Sequence, residues 1–277
     1  MIRLAIRVGR EDAEVALAEL LELAPHGVEE VDLGARVEYA VYGAPGELPV
    51  LGALEAAVGP ALVETVTTEV ADDWDERWRD FHQAIELDGL LHVRAPWHPA
   101  PASGVLDVVI DPGQAFGTGA HHTTRLCLEL LLAVTGTSPP GAVMDIGCGS
   151  GVLAIAAAKL GFGPVGGLDH DSAAAAATRE NAAINGVAVD VERRDLLRGG
   201  PAPGAPIVLA NLLRPLLLRV ARDGFAGGEV PRTLIVSGLL ADEADEVAAA
   251  FAASMGLRET DRRVGGEWAA LLLEAAH

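Results

Sequence analysis

The sequence predicts an α/β protein: a doubly wound, mostly parallel sheet that finishes in an antiparallel hairpin, preceded by a smaller α+β domain. Three observations carry this reading. From residue 105 onward, short β-branched runs alternate with alanine-rich helical stretches. A glycine-rich turn, Gly147-Cys148-Gly149-Ser150-Gly151, stands where the first of those strands passes into the first helix. Residues 1–70 follow a different rhythm, with strands and helices in the order β-α-β-β-α-β.

Composition bounds the function before any motif is considered. With 277 residues, 50% hydrophobic and 22% charged, the chain holds enough apolar material for a sizeable core, which excludes a disordered tail protein. No uncharged apolar stretch approaches the ~18 residues of a membrane span, and the amino terminus alternates polar with apolar residues instead of building a signal-peptide core. A soluble, cytoplasmic protein without a membrane partner is expected. Cys127 and Cys148 sit among apolar residues and are too few for a four-thiolate site, so neither a disulfide framework nor structural zinc is expected. A formal charge of -20 repels phosphate backbones, which disfavours direct nucleic-acid binding and favours a cationic partner. Plain acidity is also common among soluble proteins.

In the amino-terminal part, residues 2–8 alternate as a strand, and residues 11–23 carry Leu17, Leu20 and Leu21 on one helical side, ended by Pro25 and Gly27. Strand-like runs at 28–33 and 36–42, a helix at about 47–58 and a β-branched run at 62–70 complete the split βαβ pattern of a ferredoxin-like domain. Residues 71–104 are expected as a linker. Trp74, Trp78 and Phe81 fall on one face of a short helix there, a stripe that also suits a simple packing anchor. Pro96, Pro99, Pro101 and Gly104 then mark an extended connection.

Residues 105–277 form the second domain. Strands are expected at 143–146, 165–169, 187–191, 207–211 and 233–238, with helices at 125–132, 152–160, 172–184, 212–221 and 241–255 between or before them. Asn185-Gly186 and Gly256 supply helix stops. Residues 257–263, the turn Gly265-Gly266 and residues 267–273 read as strand, tight turn and strand. The result is Rossmann-like, with ligands expected at the carboxyl ends of the strands.

The chemistry concentrates at those strand ends. Asp145 opens the phrase DIGCGSG, in which the glycines let the backbone approach a ligand closely. The spacing is G-x-G-x-G; a nicotinamide fingerprint needs its third glycine one position later, where Val152 stands. The loop resembles the cofactor loop of class I methyltransferases, while another nucleotide site or an ordinary tight turn remains open. Asp169 ends the second strand, where a carboxylate accepts both ribose hydroxyls of an adenosine. Asp171 follows and suits the cap of the next helix. Asp195 lies where such folds reach the adenine amine, with an ion pair to Arg193 or Arg194 as the equal alternative. Asn211, at the end of the fourth strand, is an uncharged polar residue at the rim of the expected crevice. Transfer of a methyl group to an amine is an in-line displacement that asks the protein for position and a free lone pair, with no metal or covalent intermediate. In the glycine-rich segment 111–124, Thr123 or Thr124 is expected to cap the following helix. A metal pair at His121 and His122 lacks a carboxylate or cysteine at suitable spacing.

Taken in order, Trp74, Trp78, Phe81, Pro96-Trp97, AFGTGAHHTT, DIGCGSG, GLDHDSAA, REN before Asn185-Gly186, ANLL, SGLL and GEWAALLL are similar to the bacterial methyltransferases of ribosomal protein L11. The resemblance spans nearly the whole chain, and its most specific phrase is F-G-T-G-x-H-x-T-T. It implies an S-adenosylmethionine-dependent protein N-methyltransferase acting on lysine side chains and the amino-terminal amine of L11, without a metal and as a monomer, with the ferredoxin-like domain recognising that protein. Position by position it implies cofactor contacts at Thr124, Gly147, Gly149, Asp169 and Asn211, and a loop at Phe116, Thr118 and His121 near the methionine end. It also implies that Asn211 holds the reacting amine. The chain departs from the family pattern in a longer connection at 137–141 and in Arg214, which replaces a small residue. Two other readings compete with this one: an N-methyltransferase of another basic protein or a small-molecule amine, and a non-catalytic nucleotide sensor.

Overall fold

The computed structural model describes residues 2–13, 16, 29–43, 62–69, 83–111, 121–136 and 141–275. The chain divides into two compact units, Met1–Phe81 and His82–His277.

In the first unit, β1 (Ile2–Gly9), β2 (Glu29–Asp32), β3 (Arg36–Gly43) and β4 (Leu62–Glu69) form one antiparallel sheet in the order β2-β3-β1-β4. That order is the one the split βαβ pattern requires. Strand alternation explains it: Leu4, Ile6 and Val8 are buried on the same face as Val37, Tyr39 and Val41. On the opposite face Glu38 receives Arg3 at 2.7 Å and Arg7 at 2.7 Å, and Arg7 reaches Glu64 at 2.9 Å. Of the first expected helix, the structure describes a single 3-10 turn, Arg10–Asp12, then Ala13 and Ala16. The second expected helix and the Trp74, Trp78, Phe81 stripe lie outside the described residues.

The division between the two units falls inside residues 71–104, the segment expected to join the domains. Within residues 71–104, expected as linker, lie β5 (Ile85–Leu87) and β6 (Leu91–Arg94), which join β7 (Leu106–Val109) in a three-stranded sheet. The reason is burial: Leu87, Leu91, Val93, Val108 and Ile110 share a core with Leu128 and Ile155. The proline-rich segment is the crossover between the parallel strands β6 and β7. Arg94 closes it from inside, donating to the His98 carbonyl at 2.7 Å and pairing with Asp107.

The main sheet follows α1 (His122–Val134). Its elements are β8 (Val143–Ile146), α2 (Val152–Lys159), β9 (Val165–Asp169), α3 (Ser172–Ile184), β10 (Asp190–Arg193), β11 (Ile207–Asn211), α4 (Arg214–Asp223), β12 (Thr233–Leu240), α5 (Ala244–Met255), β13 (Leu257–Gly265) and β14 (Trp268–Ala275). The strand order is β10-β9-β8-β11-β12-β14-β13, parallel through β12 and closed by the antiparallel hairpin. Consecutive residues alternate between two cores: Ile207 and Leu209 pack on one face, Val208 and Ala210 on the other. The chain therefore winds to one side through β9 and β10 and returns to the other through β11, which opens a crevice at the carboxyl ends of β8 and β11.

Several expected boundaries move, two of them for local reasons. The third strand starts at Asp190, because Gly186 and Val187 donate back to Ala183 and Ala182 and close α3 first. Helix α4 starts at Arg214 because the Leu212 amide bonds the Ser237 carbonyl at 2.9 Å and so still belongs to the sheet. Helix α1 extends beyond 125–132 in both directions. Among the described residues no helix is long and apolar enough to cross a membrane.

Candidate functional site

The turn after β8 holds three left-handed residues, Gly147 at φ 75°, Gly149 at φ 55° and Gly151 at φ 85°. Side chains strain that conformation, so the phrase needs glycine at each place. The turn is pinned from below, with the Gly147 and Cys148 amides donating to the Leu168 carbonyl at 2.8 and 3.0 Å. Asp169 completes the frame: Oδ2 accepts the Gly149 amide at 3.0 Å and Oδ1 accepts the Asp171 amide at 3.0 Å. Asp171 caps α3 by accepting the Ala173 amide at 2.9 Å.

A cavity of about 710 Å³ opens over this turn, and Thr124, Gly147, Gly149, Asp169 and Asn211 all line it. With His121, which also lines it, six of the eight residues that the resemblance implies at the cofactor site therefore meet in one crevice. The other two, Phe116 and Thr118, lie outside the described residues. The volume suits a ligand the size of an adenosyl amino acid. Asn211 Nδ2 faces Thr124 Oγ1 at 3.4 Å, which orients the carboxamide at the crevice wall.

The helix cap differs from the expectation of Thr123 or Thr124. His121 is the cap of α1: its Nδ1 accepts the Thr123 amide at 3.3 Å and lies 2.8 Å from the Thr123 hydroxyl. Both threonines are buried, so the imidazole, one residue outside the helix, reaches the open amide instead. Burial, and secondarily the neighbouring His122, hold the His121 pKa below its ordinary value. That favours the neutral ring that the cap needs. The ring also meets Trp268 edge-on at 5.0 Å.

Asp195 lines the crevice but forms neither expected ion pair with Arg193 or Arg194. Arg193 donates to the His170 carbonyl, and Arg194 donates to the carbonyls of Gly199 and Pro201. Asp195 instead accepts the Leu197 amide at 2.7 Å and pairs with Arg198 at 3.6 Å. Arg214, the departure from the family pattern, pairs with Glu243 and Glu246 at 2.9 and 2.7 Å, a contact that ties α4 to the start of α5. The longer connection at 137–141 lies outside the described residues except for Gly141.

Two positions gain their meaning only from the packing. Gly238, at φ 82°, sits in a bulge of β12, and a Cβ there would meet the Leu212 backbone at 2.5 Å. Its lack of a side chain admits the segment that carries Asn211. Gly238→Ala is expected to lower turnover and to cost about 1–2 kcal/mol in stability from the backbone conformation alone; an unchanged melting temperature and rate would remove this role. Asp145 is the second. It is buried beneath the turn, with Oδ2 accepting the Ala154 amide at 3.1 Å and no hydrogen-bond partner for Oδ1. Burial, reinforced by the charge of Asp169 and opposed by the Ala154 amide, pushes its pKa from 3.8 to about 7.

That shift has a definite sign. A carboxyl with a raised folded pKa favours folding fully below its unfolded value and loses this contribution as pH rises through about 7. Asp145→Asn, a neutral isostere, is expected to raise the melting temperature relative to the parent more at about pH 8 than at about pH 5. Equal differences at both pH values would show that Asp145 is ionised throughout. Burial likewise pushes the Cys148 thiol up to about 12 and the Cys127 thiol upward, so neither offers a thiolate at neutral pH. Among the described residues no group of three or more His, Cys, Asp or Glu side chains is placed to hold a metal.

Comparison with known proteins agrees with this architecture. Residues 51–276 match the family model described as Ribosomal protein L11 methyltransferase (PrmA). The ribosomal protein L11 methyltransferase of Geobacter metallireducens is 42% identical over 214 residues, covering 76% of this chain and 69% of that protein. Its counterpart in Laribacter hongkongensis is 35% identical over 274 residues, covering 87% of this chain and 90% of that protein. The crystal structure of the ribosomal protein L11 methylase from Lactobacillus delbrueckii subsp. bulgaricus superposes with a TM-score of 0.61 at 27% identity, over 71% of this chain and 100% of that one. The glycine turn, the acid at the end of β9 and the asparagine at the end of β11 thus stand in a chain that belongs to the ribosomal protein L11 methyltransferase family.

Proposed function

We propose that this protein transfers methyl groups from S-adenosylmethionine to amino groups of ribosomal protein L11, at lysine side chains and the amino-terminal amine. The observation that carries the reading is the convergence of Thr124, Gly147, Gly149, Asp169 and Asn211 on one crevice, in a member of this family. Asp169 and the glycine turn are suited to the adenosyl half of the cofactor, since the carboxylate stands at the tip of β9 and the turn leaves no side chain between backbone and ligand. When bound, S-adenosylmethionine supplies an electrophilic methyl group on a sulfonium.

The chain's own residues then have two tasks. The incoming amine must be neutral, because a protonated lysine, with an ordinary pKa of about 10.4, has no lone pair to attack with. Asn211 meets the positional task. Thr124 engages its Nδ2, which leaves Oδ1 as the end of the carboxamide able to accept an amine N–H and aim the lone pair. The apolar wall from Leu212, Leu213 and Leu216 places no carboxylate beside that amine, which favours its neutral form.

The amino-terminal unit serves recognition of the protein substrate in this reading. A net charge of -20 suits a basic protein and repels ribosomal RNA, so the free protein in the cytoplasm, before assembly, is the substrate in this reading. Incubation with isotope-labelled S-adenosylmethionine and unmethylated ribosomal proteins, followed by intact-mass measurement, tests the assignment. Mass gains in steps of one methyl confined to L11 are expected. Labelling of a different ribosomal protein, or of none, would overturn the substrate.

A further inference from the structure

Two residues of α3 and the residue that caps its end, none with a part in the mechanism above, form one polar stripe. Thr178, Asn181 and Asn185 are spaced three and four residues apart, which places them on one side of the helix. Thr178 and Asn181 are buried, so their polar atoms must find partners within the protein.

The partners are backbone groups of two distant segments. Thr178 Oγ1 donates to the Gly149 carbonyl at 2.9 Å and also lies 3.2 Å from a side-chain atom of the same turn, Cys148 Sγ. Asn181 Nδ2 donates to the Ser150 carbonyl at 2.9 Å, while Asn181 Oδ1 accepts the Asp111 amide at 2.9 Å and Nδ2 lies 3.4 Å from the Asp111 carbonyl. One turn later Asn185 repeats the pairing on β7, accepting the Val109 amide at 2.9 Å and donating to the Val109 carbonyl at 2.6 Å. Each asparagine meets both backbone groups of one residue, as a neighbouring strand would. The spacing permits this, because four helical residues rise about 6 Å and two strand residues about 6.6 Å.

The two asparagines differ in one respect. Asn185 holds the end of β7 and a carbonyl of its own helix, whereas Asn181 joins the Asp111 peptide to the glycine turn. The carbonyls of Gly149 and Ser150 are thereby drawn toward α3. Gly147, Cys148 and Gly149 line the crevice, and neither Thr178 nor Asn181 does. The helix therefore grips the turn from behind.

We infer that Asn181, with Thr178, is a positioning residue for the cofactor: from behind the crevice it sets the peptide orientations of the Gly147–Gly151 turn and locks that turn to the Asp111 peptide. The inference rests on the reading of the crevice as an S-adenosylmethionine site. A carbonyl that loses its buried partner either stays unsatisfied or turns, and turning reorients the amide of the next residue.

The test compares one isosteric change at two positions. Asn181→Asp and Asn185→Asp each remove the Nδ2 donor, and only the first releases the glycine turn. Affinity for S-adenosylhomocysteine, measured by calorimetry beside the melting temperature, is expected to fall about tenfold or more in Asn181→Asp and to stay within about twofold in Asn185→Asp, even where both melt earlier. In turnover the Asn181 variant should show a raised KM for S-adenosylmethionine with kcat largely kept. Thr178→Val, which keeps shape and loses the hydroxyl, decides the matter if Asn181→Asp does not fold. Parental affinity in the Asn181 and Thr178 variants, or equal losses at Asn181 and Asn185, would overturn the inference. Absence of binding by the parent protein would instead overturn the cofactor reading itself.

Discussion

Asp169→Ala is expected to weaken S-adenosylmethionine binding by about 2–3 kcal/mol, the scale of hydrogen bonds to a charged group, or roughly 30- to 150-fold. The side chain would be lost from two places at once. It stands at the tip of β9 facing the crevice, where its oxygens suit two ribose hydroxyls, and it already accepts the amides of Gly149 and Asp171. Asp169→Asn separates the tasks, because the amide keeps one acceptor oxygen and loses the charge. An intermediate loss is expected for it. Calorimetric titration of the parent and both variants checks the order, and unchanged affinity in Asp169→Ala would mean that the ligand sits elsewhere.

Asn211→Ala should act on the rate. If the carboxamide aligns the amine, its removal leaves the adenosyl contacts in place and frees the nucleophile to sample unproductive directions. Misplacement of a reacting group by about 1 Å costs about 100-fold. The expected result is a kcat lower by about two orders of magnitude with cofactor affinity within about threefold of the parent. Steady-state kinetics on L11 together with direct cofactor titration separate the two quantities. Equal losses in both would recast Asn211 as a cofactor contact alone. Gly238 supplies a control from the opposite direction, since it acts on the same segment through the Leu212 backbone.

Much of this architecture was legible in the residues themselves. The unbroken apolar run from Ile207 to Ala210 suits a strand covered on both faces, and the two cores on either side of the main sheet bear it out. The glycines at 147, 149 and 151 permit the left-handed turn that the backbone adopts there. Asp169 and Asn211 each end a strand, and a parallel sheet brings successive strand ends to one edge, so their meeting follows from order along the chain.

What escaped the sequence depends on partners far away along the chain. Strands β5 and β6 are only three and four residues long and border a proline-rich segment, so their period is too brief to read; they are strands because their apolar residues are completed by α1 and α2. The cap at His121 required knowing that both following threonines are buried. Gly238 reads as an isolated glycine until Leu212 packs against it, and Asn181 reads as a polar residue in an alanine-rich helix until Ser150 and Asp111 arrive. Local pattern determined the elements of the main sheet, their order and the glycine turn, because periodic burial and backbone sterics act over a few residues. Tertiary packing alone decided which hydrogen-bond partners hold that turn in place, because a buried polar group takes whichever partner the fold brings within about 3 Å.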